Sequence, residues 1–175
     1  MSEHPAPNGG ATYTCGVLTV GDKGSRGERK DTSGPGLEKI LTGRGFKVAA
    51  AHIVPDQEEA IRETVRHWVD EEAIDLIVST GGTGVSPSDV TPEAIRPLLD
   101  KEIPGIGEAM RQASLLKTPN AMLSRGIAGI RKESLIITLP GSEKAARENI
   151  EAVLPTLTHA IYKIKGGTKD CGVTS

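Results

Sequence analysis

The chain has 175 residues, of which 37% are hydrophobic and 25% charged, and its formal net charge is −2. This length predicts a single compact domain. Because the chain has only four aromatic side chains and no basic excess, its composition argues against a surface that stacks bases or follows a phosphate backbone. We therefore expect no nucleic-acid partner.

The sequence also argues against a membrane protein. It contains no run that approaches the roughly 18 consecutive apolar residues of a membrane helix, and its first ten residues are polar and include two prolines. We expect a soluble, cytoplasmic protein with flexible tails over residues 1–11 and 165–175. The two cysteines have neither disulfide nor metal-ligand spacing, and Cys15 lies in an apolar run typical of a core.

Short apolar runs alternate with amphipathic stretches along the chain, which predicts an α/β fold. Strands are predicted at 13–20, 46–54, 75–80, 126–130 and 134–139, the last two joined by a hairpin turn. Helices are predicted at 34–44, 57–72, 91–99, 106–116 and 143–163, and loops at 21–31 and 81–90. Candidate residues for the N-terminal caps of the first three helices and of the last are, in chain order, Thr32 or Ser33, Asp56, Thr91 and Ser142.

Polar loops follow the strand ends at residues 21–31, 55–56, 81–89 and 140–142. In open parallel sheets, ligands bind beyond the carboxyl ends of the strands. We therefore expect these loops to form one ligand site.

The segment Ser79-Thr80-Gly81-Gly82-Thr83-Gly84 has three glycines in four positions after a strand. Such a segment leaves backbone N–H groups free to bind an anion, although a plain turn fits it equally well. Neither G-x-x-x-x-G-K-[ST] nor G-x-G-x-x-G occurs in the chain, so the sequence does not support a P-loop nucleotidase or a dinucleotide dehydrogenase.

Two aspartates accompany these loops. Asp89 follows the glycines, and a carboxylate beside an anion-binding loop favours a shared cation, for which Mg²⁺ is the usual choice. Asp89 could instead cap the next helix, but Thr91 fits that role better. Asp56 fits a ligand role and a helix cap equally well.

Several motifs together resemble the MogA/MoaB-type molybdopterin adenylyltransferases of molybdenum cofactor biosynthesis. They are Asp22 with Ser25, Ile53-Val54-Pro55-Asp56, the glycine segment through Asp89-Val90-Thr91-Pro92-Glu93, Ser124-Arg125, and Leu139-Pro140-Gly141-Ser142 with Lys144. The resemblance covers residues 13–163. The glycine segment, with its aspartate and the following Val-Thr-Pro, is the most specific of these motifs.

This resemblance implies a three-layer α/β/α sandwich with a mostly parallel central sheet over residues 12–164, usually assembled as a homotrimer. It implies an enzyme that transfers AMP from Mg-ATP to the terminal phosphate of molybdopterin and releases pyrophosphate. The adenylyl-molybdopterin would then pass to a molybdate-inserting enzyme. The functional carboxylates of the family correspond to Asp56 and Asp89.

The implied site has two parts. Asp56 and Asp89 are the predicted catalytic residues and Mg²⁺ ligands, and no general base is needed because the attacking phosphate is already anionic. The predicted molybdopterin- and ATP-binding residues are Asp22, Ser25, Gly81, Gly82, Thr83, Gly84, Ser124, Pro140, Gly141, Ser142 and Lys144.

Two residues depart from the family pattern. Ser88 stands where many relatives have Arg, so a phosphate contact would be absent or come from Lys23, Arg26 or Arg125, and Glu143 stands where relatives often have Pro. The alternative functions are a non-catalytic molybdopterin-binding scaffold and a nucleotide hydrolase. The presence of both aspartates argues against the scaffold, and the lack of a P-loop argues against the hydrolase.

Overall fold

The computed structural model of the protein describes residues 12–168. The predicted tail at residues 1–11 lies outside the described residues, as does all of the predicted C-terminal tail beyond residue 168. Within residues 12–168, no helix has both the length and the apolar character that crossing a membrane requires.

A six-stranded sheet forms the centre of the fold. The strands are β1 (Thr14–Val20), β2 (Lys47–Val54), β3 (Leu76–Thr80), β4 (Lys101–Glu102), β5 (Ala128–Arg131) and β6 (Ser134–Leu139). Their order in the sheet is β2-β1-β3-β6-β5-β4. β2, β1, β3 and β6 are parallel, whereas β5 runs antiparallel to both β6 and β4. The predicted α/β fold with a mostly parallel sheet is confirmed.

Helices cover both faces of this sheet. The helices are α1 (Asp22–Ser25), α2 (Ser33–Gly43), α3 (Glu58–Asp70), α4 (Thr91–Ile95), α5 (Pro104–Leu115) and α6 (Glu143–Ile164), with 3-10 turns at Arg96–Leu98 and Pro119–Leu123. One hydrophobic core lies between the sheet and α2, α5 and α6, and the other lies between the sheet and α3 and α4. The predicted three-layer sandwich is therefore confirmed.

The central strand β3 is buried along its whole length, as its apolar sequence predicts. Leu76 and Val78 belong to one core and Ile77 to the other, because successive side chains point to opposite faces of a sheet. Cys15 is fully buried, and this burial raises the pKa of its thiol to about 12. The prediction that Cys15 belongs to the core is confirmed.

The structure corrects several local predictions. The predicted loop at 21–31 contains the single helical turn α1, and the two-residue strand β4 was not predicted. Thr32 precedes α2 without capping it; the Asp31 carboxylate accepts the Gly34 N–H instead (3.0 Å). The Thr19 hydroxyl of β1 donates to the other oxygen of Asp31 (2.7 Å), so this carboxylate joins β1 to the start of α2.

Two more predicted caps have other roles. No side chain caps α3, and the Asp56 carboxylate points toward Asp22 rather than toward the helix. Thr91 is the first residue of α4, and its hydroxyl donates to the Gly81 carbonyl (2.9 Å). Ser142 does cap α6, accepting the Ala145 N–H at 3.4 Å.

An ion pair joins the end of α3 to the β5–β6 hairpin. Arg131 contacts Asp70 through two hydrogen bonds of 2.6 and 3.0 Å, and Lys132 Nζ lies 3.0 Å from the same carboxylate. The hydrogen bonds from Arg131 lower the pKa of Asp70 to about 2.

The low pKa of Asp70 predicts a pH-dependent stability. The pair stabilises the fold above the unfolded pKa of about 4, and its contribution disappears as the pH falls toward 2. We expect Asp70→Asn to lower the free energy of unfolding at pH 7 by about 1–2 kcal/mol, after allowing for solvent screening. Urea unfolding at pH 7, 4 and 2.5 should show this difference shrinking; a constant difference would contradict the assignment.

Candidate functional site

The sheet topology creates a crevice at the carboxyl ends of β1 and β3. β2 lies on one side of β1 and β3 lies on the other. The loops that follow β1 and β3 therefore lead to helices on opposite faces of the sheet and leave a crevice between them. The four predicted loops meet at this edge, and between them and the neighbouring helices lie two adjoining cavities.

The first cavity has a volume of about 360 Å³ and is lined by residues of all four loops, among them Asp22, Asp56, Ser88 and Gly141. The second has a volume of about 420 Å³ and lies between the glycine segment, α5, the 3-10 turn at Pro119–Leu123 and the start of α6. Gly141 lines both cavities. The site is therefore two spaces that share one wall.

Asp22 and Asp56 hold each other through their backbones. The Asp22 N–H donates to Asp56 Oδ2 (2.9 Å), and the Asp56 N–H donates to Asp22 Oδ1 (3.0 Å). This reciprocal pair fixes the start of α1 against the end of β2. A methyl group added to Gly82 would lie 3.5 Å from Asp56 Oδ1, so the carboxylate also faces the glycine segment.

The glycine segment takes a conformation that requires glycine. Gly81 and Gly82 have φ angles of +103° and +65°, in the left-handed region. A Cβ atom on Gly81 would also overlap the Val20 carbonyl oxygen. Thr91 holds the segment from below, since its hydroxyl donates to the Gly81 carbonyl and its N–H to the Gly82 carbonyl (3.0 Å).

The amides of the glycine segment differ in their availability. The Gly81 N–H donates to the Leu139 carbonyl (3.0 Å), so it cannot serve the anion role predicted for it. For the next three residues, Gly82, Thr83 and Gly84, we find no acceptor of the backbone N–H anywhere in residues 12–168. Buried or half-buried amides are rarely left unpaired, so three in succession favour an anion cradle over a plain turn.

Arg125 clamps the same segment from the other side. Its guanidinium donates to the carbonyls of Gly84 and Asp89 (2.7 Å each) and to the Glu93 carboxylate, and its backbone N–H donates to the Thr83 carbonyl (2.8 Å). The hydrogen bond from Arg125 lowers the pKa of Glu93. Arg125 is thus committed to holding the segment and does not supply the phosphate contact considered for it.

The clamp predicts a local effect of mutation. We expect Arg125→Met to leave the fold intact and to speed amide hydrogen exchange in residues 81–93 by about 10- to 100-fold, because three hydrogen bonds to this segment are lost. Exchange followed by mass spectrometry would measure it. Arg26→Met is the matched control, since Arg26 forms its ion pair with Glu28 at the surface; equal exchange in both variants would contradict the clamp.

Asp89 faces the glycine segment at Gly84, whereas Asp56 faces it at Gly82. Its Oδ2 accepts the Ser86 N–H (2.8 Å), and a methyl group added to Gly84 would lie 2.9 Å from this oxygen. Across the described part of the chain, neither Asp56 Oδ1 nor Asp89 Oδ1 accepts a hydrogen bond from the protein. Each carboxylate therefore keeps one oxygen for a ligand.

This donor set fits Mg²⁺ bound together with a ligand. Residues 12–168 contain no group of three or more His, Cys, Asp or Glu side chains that could hold a metal alone. Mg²⁺ is commonly held by one or two carboxylates and completes its shell with phosphate oxygens and water. Asp56 and Asp89, on either side of an anion cradle, provide such a pair.

Of the other predicted site residues, some line a cavity and some do not. Ser124 and Pro140 line the second cavity. Ser25, Ser142 and Lys144 line neither cavity; the Ser25 hydroxyl donates to the Asp22 carbonyl (2.9 Å), and Ser142 caps α6. The Pro140-Gly141 turn is held by the hydroxyls of Thr80 and Ser33, which donate to its carbonyls at 2.6 and 3.0 Å.

Sequence reasoning missed several lining residues. The first cavity is also bordered by the cations Arg29 and Lys30, in addition to Lys23. The second is also bordered by polar side chains from α5, the 3-10 turn and α6: Arg111, Asn120 and Asn149. The charged run at residues 28–31 could have indicated that Arg29 and Lys30 bind a ligand, but a solvent-exposed loop has the same composition. No local pattern marks the second group.

Comparison with known proteins finds relatives that are named for molybdopterin binding or biosynthesis. A family model described as a probable molybdopterin binding domain matches residues 16–159. The molybdopterin adenylyltransferase of Helicobacter pylori (strain J99) is 41% identical over 157 residues, with 89% of each chain covered. The structure of the molybdopterin biosynthesis enzyme MoaB from Thermus thermophilus is 52% identical with a TM-score of 0.85, covering 89% of this chain and 98% of that one.

A longer relative also matches. The gephyrin of Dictyostelium discoideum is 46% identical over 167 residues, which are 90% of this chain. The chain spans only 23% of the length of that relative.

Proposed function

The chain belongs to the family of probable molybdopterin binding domains, and we propose that it transfers AMP from Mg-ATP to the terminal phosphate of molybdopterin, giving adenylyl-molybdopterin and pyrophosphate. The observation that carries this proposal is the pair of adjoining cavities with Gly141 in their common wall. A transfer between two bound ligands needs two neighbouring sites whose reacting groups meet. We assign the activity to residues 12–164.

The linings of the two cavities suggest which ligand each one takes. The first cavity is lined by the cations Lys23, Arg29 and Lys30, which can pair with the triphosphate of ATP, and by Asp56, which can bind its metal ion. The second cavity combines apolar side chains, among them Ala121 and Leu123, with amides, hydroxyls and the charged Arg111 and Glu148. This mixture suits the pterin, which has flat ring faces and polar edges. The phosphates of both ligands would meet at the free amides of residues 82–84.

In the proposed reaction, an oxygen of the molybdopterin phosphate attacks the α-phosphorus of ATP. A new P–O bond forms there, the bond from the α-phosphorus to the α,β-bridging oxygen breaks, and pyrophosphate leaves with the bonding electrons. The attacking oxygen is already anionic, so the chain needs no general base and contributes by positioning and charge stabilisation. The free amides of residues 82–84 stabilise negative charge, and Arg125 and Thr91 keep these amides in place.

Asp56 and Asp89 would hold the metal ion. When bound, Mg²⁺ supplies positive charge that neutralises the triphosphate and the leaving pyrophosphate. Asp22 acts as a positioning residue, because its backbone and carboxylate hold Asp56 in place.

The proposal extends to assembly and location. Leu115, Leu116 and Met122 are exposed apolar residues at the end of α5 and on the 3-10 turn that contacts it. They support a subunit contact, because exposed apolar patches mark protein–protein contacts. We propose a cytoplasmic homotrimer whose product passes to a molybdate-inserting enzyme.

The alternative is a scaffold that binds molybdopterin without reaction. Incubation with molybdopterin and Mg-ATP, followed by measurement of pyrophosphate, separates the possibilities. Pyrophosphate release that depends on molybdopterin supports the transferase, whereas phosphate release without molybdopterin would indicate a hydrolase. Binding of molybdopterin without release of either product would indicate the scaffold.

A further inference from the structure

A buried amide borders the second cavity. Asn149 lies on α6, is only 2% exposed and lines the cavity together with Ser114 of α5. All the other buried residues of α6 are apolar. A buried amide in such a place needs partners for both its NH₂ and its oxygen.

The orientation of this amide is fixed by its neighbours. Asn149 Nδ2 donates to the Ala145 carbonyl oxygen (2.9 Å) and to Ser114 Oγ (2.7 Å). A carbonyl oxygen only accepts hydrogen bonds, so the group that faces it must be the NH₂ group. The oxygen Oδ1 therefore points away from both of these partners.

Asn149 Oδ1 remains available inside the site. Over residues 12–168, no hydrogen bond from the protein to this oxygen is found. Ser79 Oγ is the one side-chain nitrogen or oxygen in this range that is fully enclosed and has no partner. Asn149 Oδ1 is therefore not sealed within the protein, and the cavity that Asn149 lines is the space it can reach.

We propose that Asn149 Oδ1 accepts a hydrogen bond from an N–H group on the edge of the pterin ring and thereby selects this heterocycle. The inference rests on the proposed function and adds a specificity-determining residue to it. A pterin presents N–H donors on its pyrimidine ring, which match a lone acceptor held at a fixed angle. A ring without donors at that edge leaves the amide oxygen unpaired, and sites built in this way discriminate strongly.

Direct binding of molybdopterin without ATP tests this role. In Asn149→Leu, we expect the Kd for molybdopterin to rise about 10- to 100-fold, while the KM for ATP stays at its wild-type value. Asn149→Ala provides a second variant should leucine prevent folding, because alanine suits a helix and adds no bulk. Val153→Ala is the matched control: Val153 is buried on the same helix but does not line the cavity.

The outcomes separate this inference from the function on which it rests. A higher Kd for molybdopterin in the Asn149 variant, with an unchanged Kd in Val153→Ala, supports the inference. An unchanged Kd in a folded Asn149 variant, an equal rise in Val153→Ala, or a rise in the KM for ATP instead would overturn it. A wild-type protein that transfers no AMP would overturn the proposed function itself.

Discussion

Asp89→Asn should fold normally and release pyrophosphate from Mg-ATP and molybdopterin about 100- to 1000-fold more slowly than the wild-type chain. Asparagine keeps the size of the side chain and can still accept the Ser86 N–H. It removes the negative charge that would help to hold Mg²⁺ against the phosphates. The effect should appear mainly in kcat, because the lost stabilisation belongs to charge that develops during transfer.

A matched control distinguishes this loss from a general effect of removing an aspartate. Asp100, which directly precedes β4, also accepts one backbone N–H, that of Lys132 in the β5–β6 hairpin (2.6 Å), but it lines neither cavity. Asp100→Asn should therefore retain wild-type turnover. Wild-type turnover in Asp89→Asn, or equal losses in both variants, would exclude the metal role of Asp89.

Gly81→Ala should lower the free energy of unfolding by about 2–4 kcal/mol. Its φ of +103° is unfavourable for alanine, and the added methyl group would overlap the Val20 carbonyl oxygen, which cannot move without distorting β1. The strain would spread to the amides of residues 82–84, so we expect transfer activity to fall as well. Chemical denaturation of the two chains measures the first effect.

The control for this prediction is Gly43→Ala. Gly43 is the last residue of α2, and a Cβ atom there would meet nothing within 4 Å. Alanine at that position should be neutral or slightly stabilising, because it restricts the unfolded chain without straining the helix. If both variants lost similar stability, backbone strain at Gly81 would not be the cause.

The sequence predicted those parts of the fold that local pattern determines. The apolar runs at β1, β2, β3 and β6 are long enough to be identified as strands, and most helices have a clear amphipathic period. β4 has only two residues and α1 only four, so neither carries a period. Their formation depends on neighbours that are distant in the sequence.

The helix caps also show that contacts between distant residues cannot be predicted from local sequence. Asp56 has the spacing of a cap, but a backbone N–H 34 residues earlier takes its carboxylate. Thr91 likewise bonds to the Gly81 carbonyl ten residues away. Where a short polar side chain can meet either its own helix or another loop, only the packed fold decides between the two.

The candidate site was predicted in part. Family motifs identified the glycine segment, Asp56 and Asp89, and the structure brings these residues to one edge of the sheet. The sequence fitted an anion-binding segment and a plain turn equally well at residues 82–84, and the unpaired amides of the folded chain favour the first. The role of the Asn149 amide could not be predicted, because it depends on which partners the folded chain provides. A polar residue on a long helix gives no sign that its side chain is buried.

Transfer of a radiolabelled α-phosphate tests the proposed function most directly. The wild-type chain is incubated with molybdopterin, Mg²⁺ and ATP labelled at the α-phosphate, or in a parallel sample at the γ-phosphate. We predict that the α label appears in adenylyl-molybdopterin and the γ label in pyrophosphate, in equal amounts. An α label that stays in free AMP or ATP, or a γ label released as phosphate without molybdopterin, would contradict adenylyl transfer.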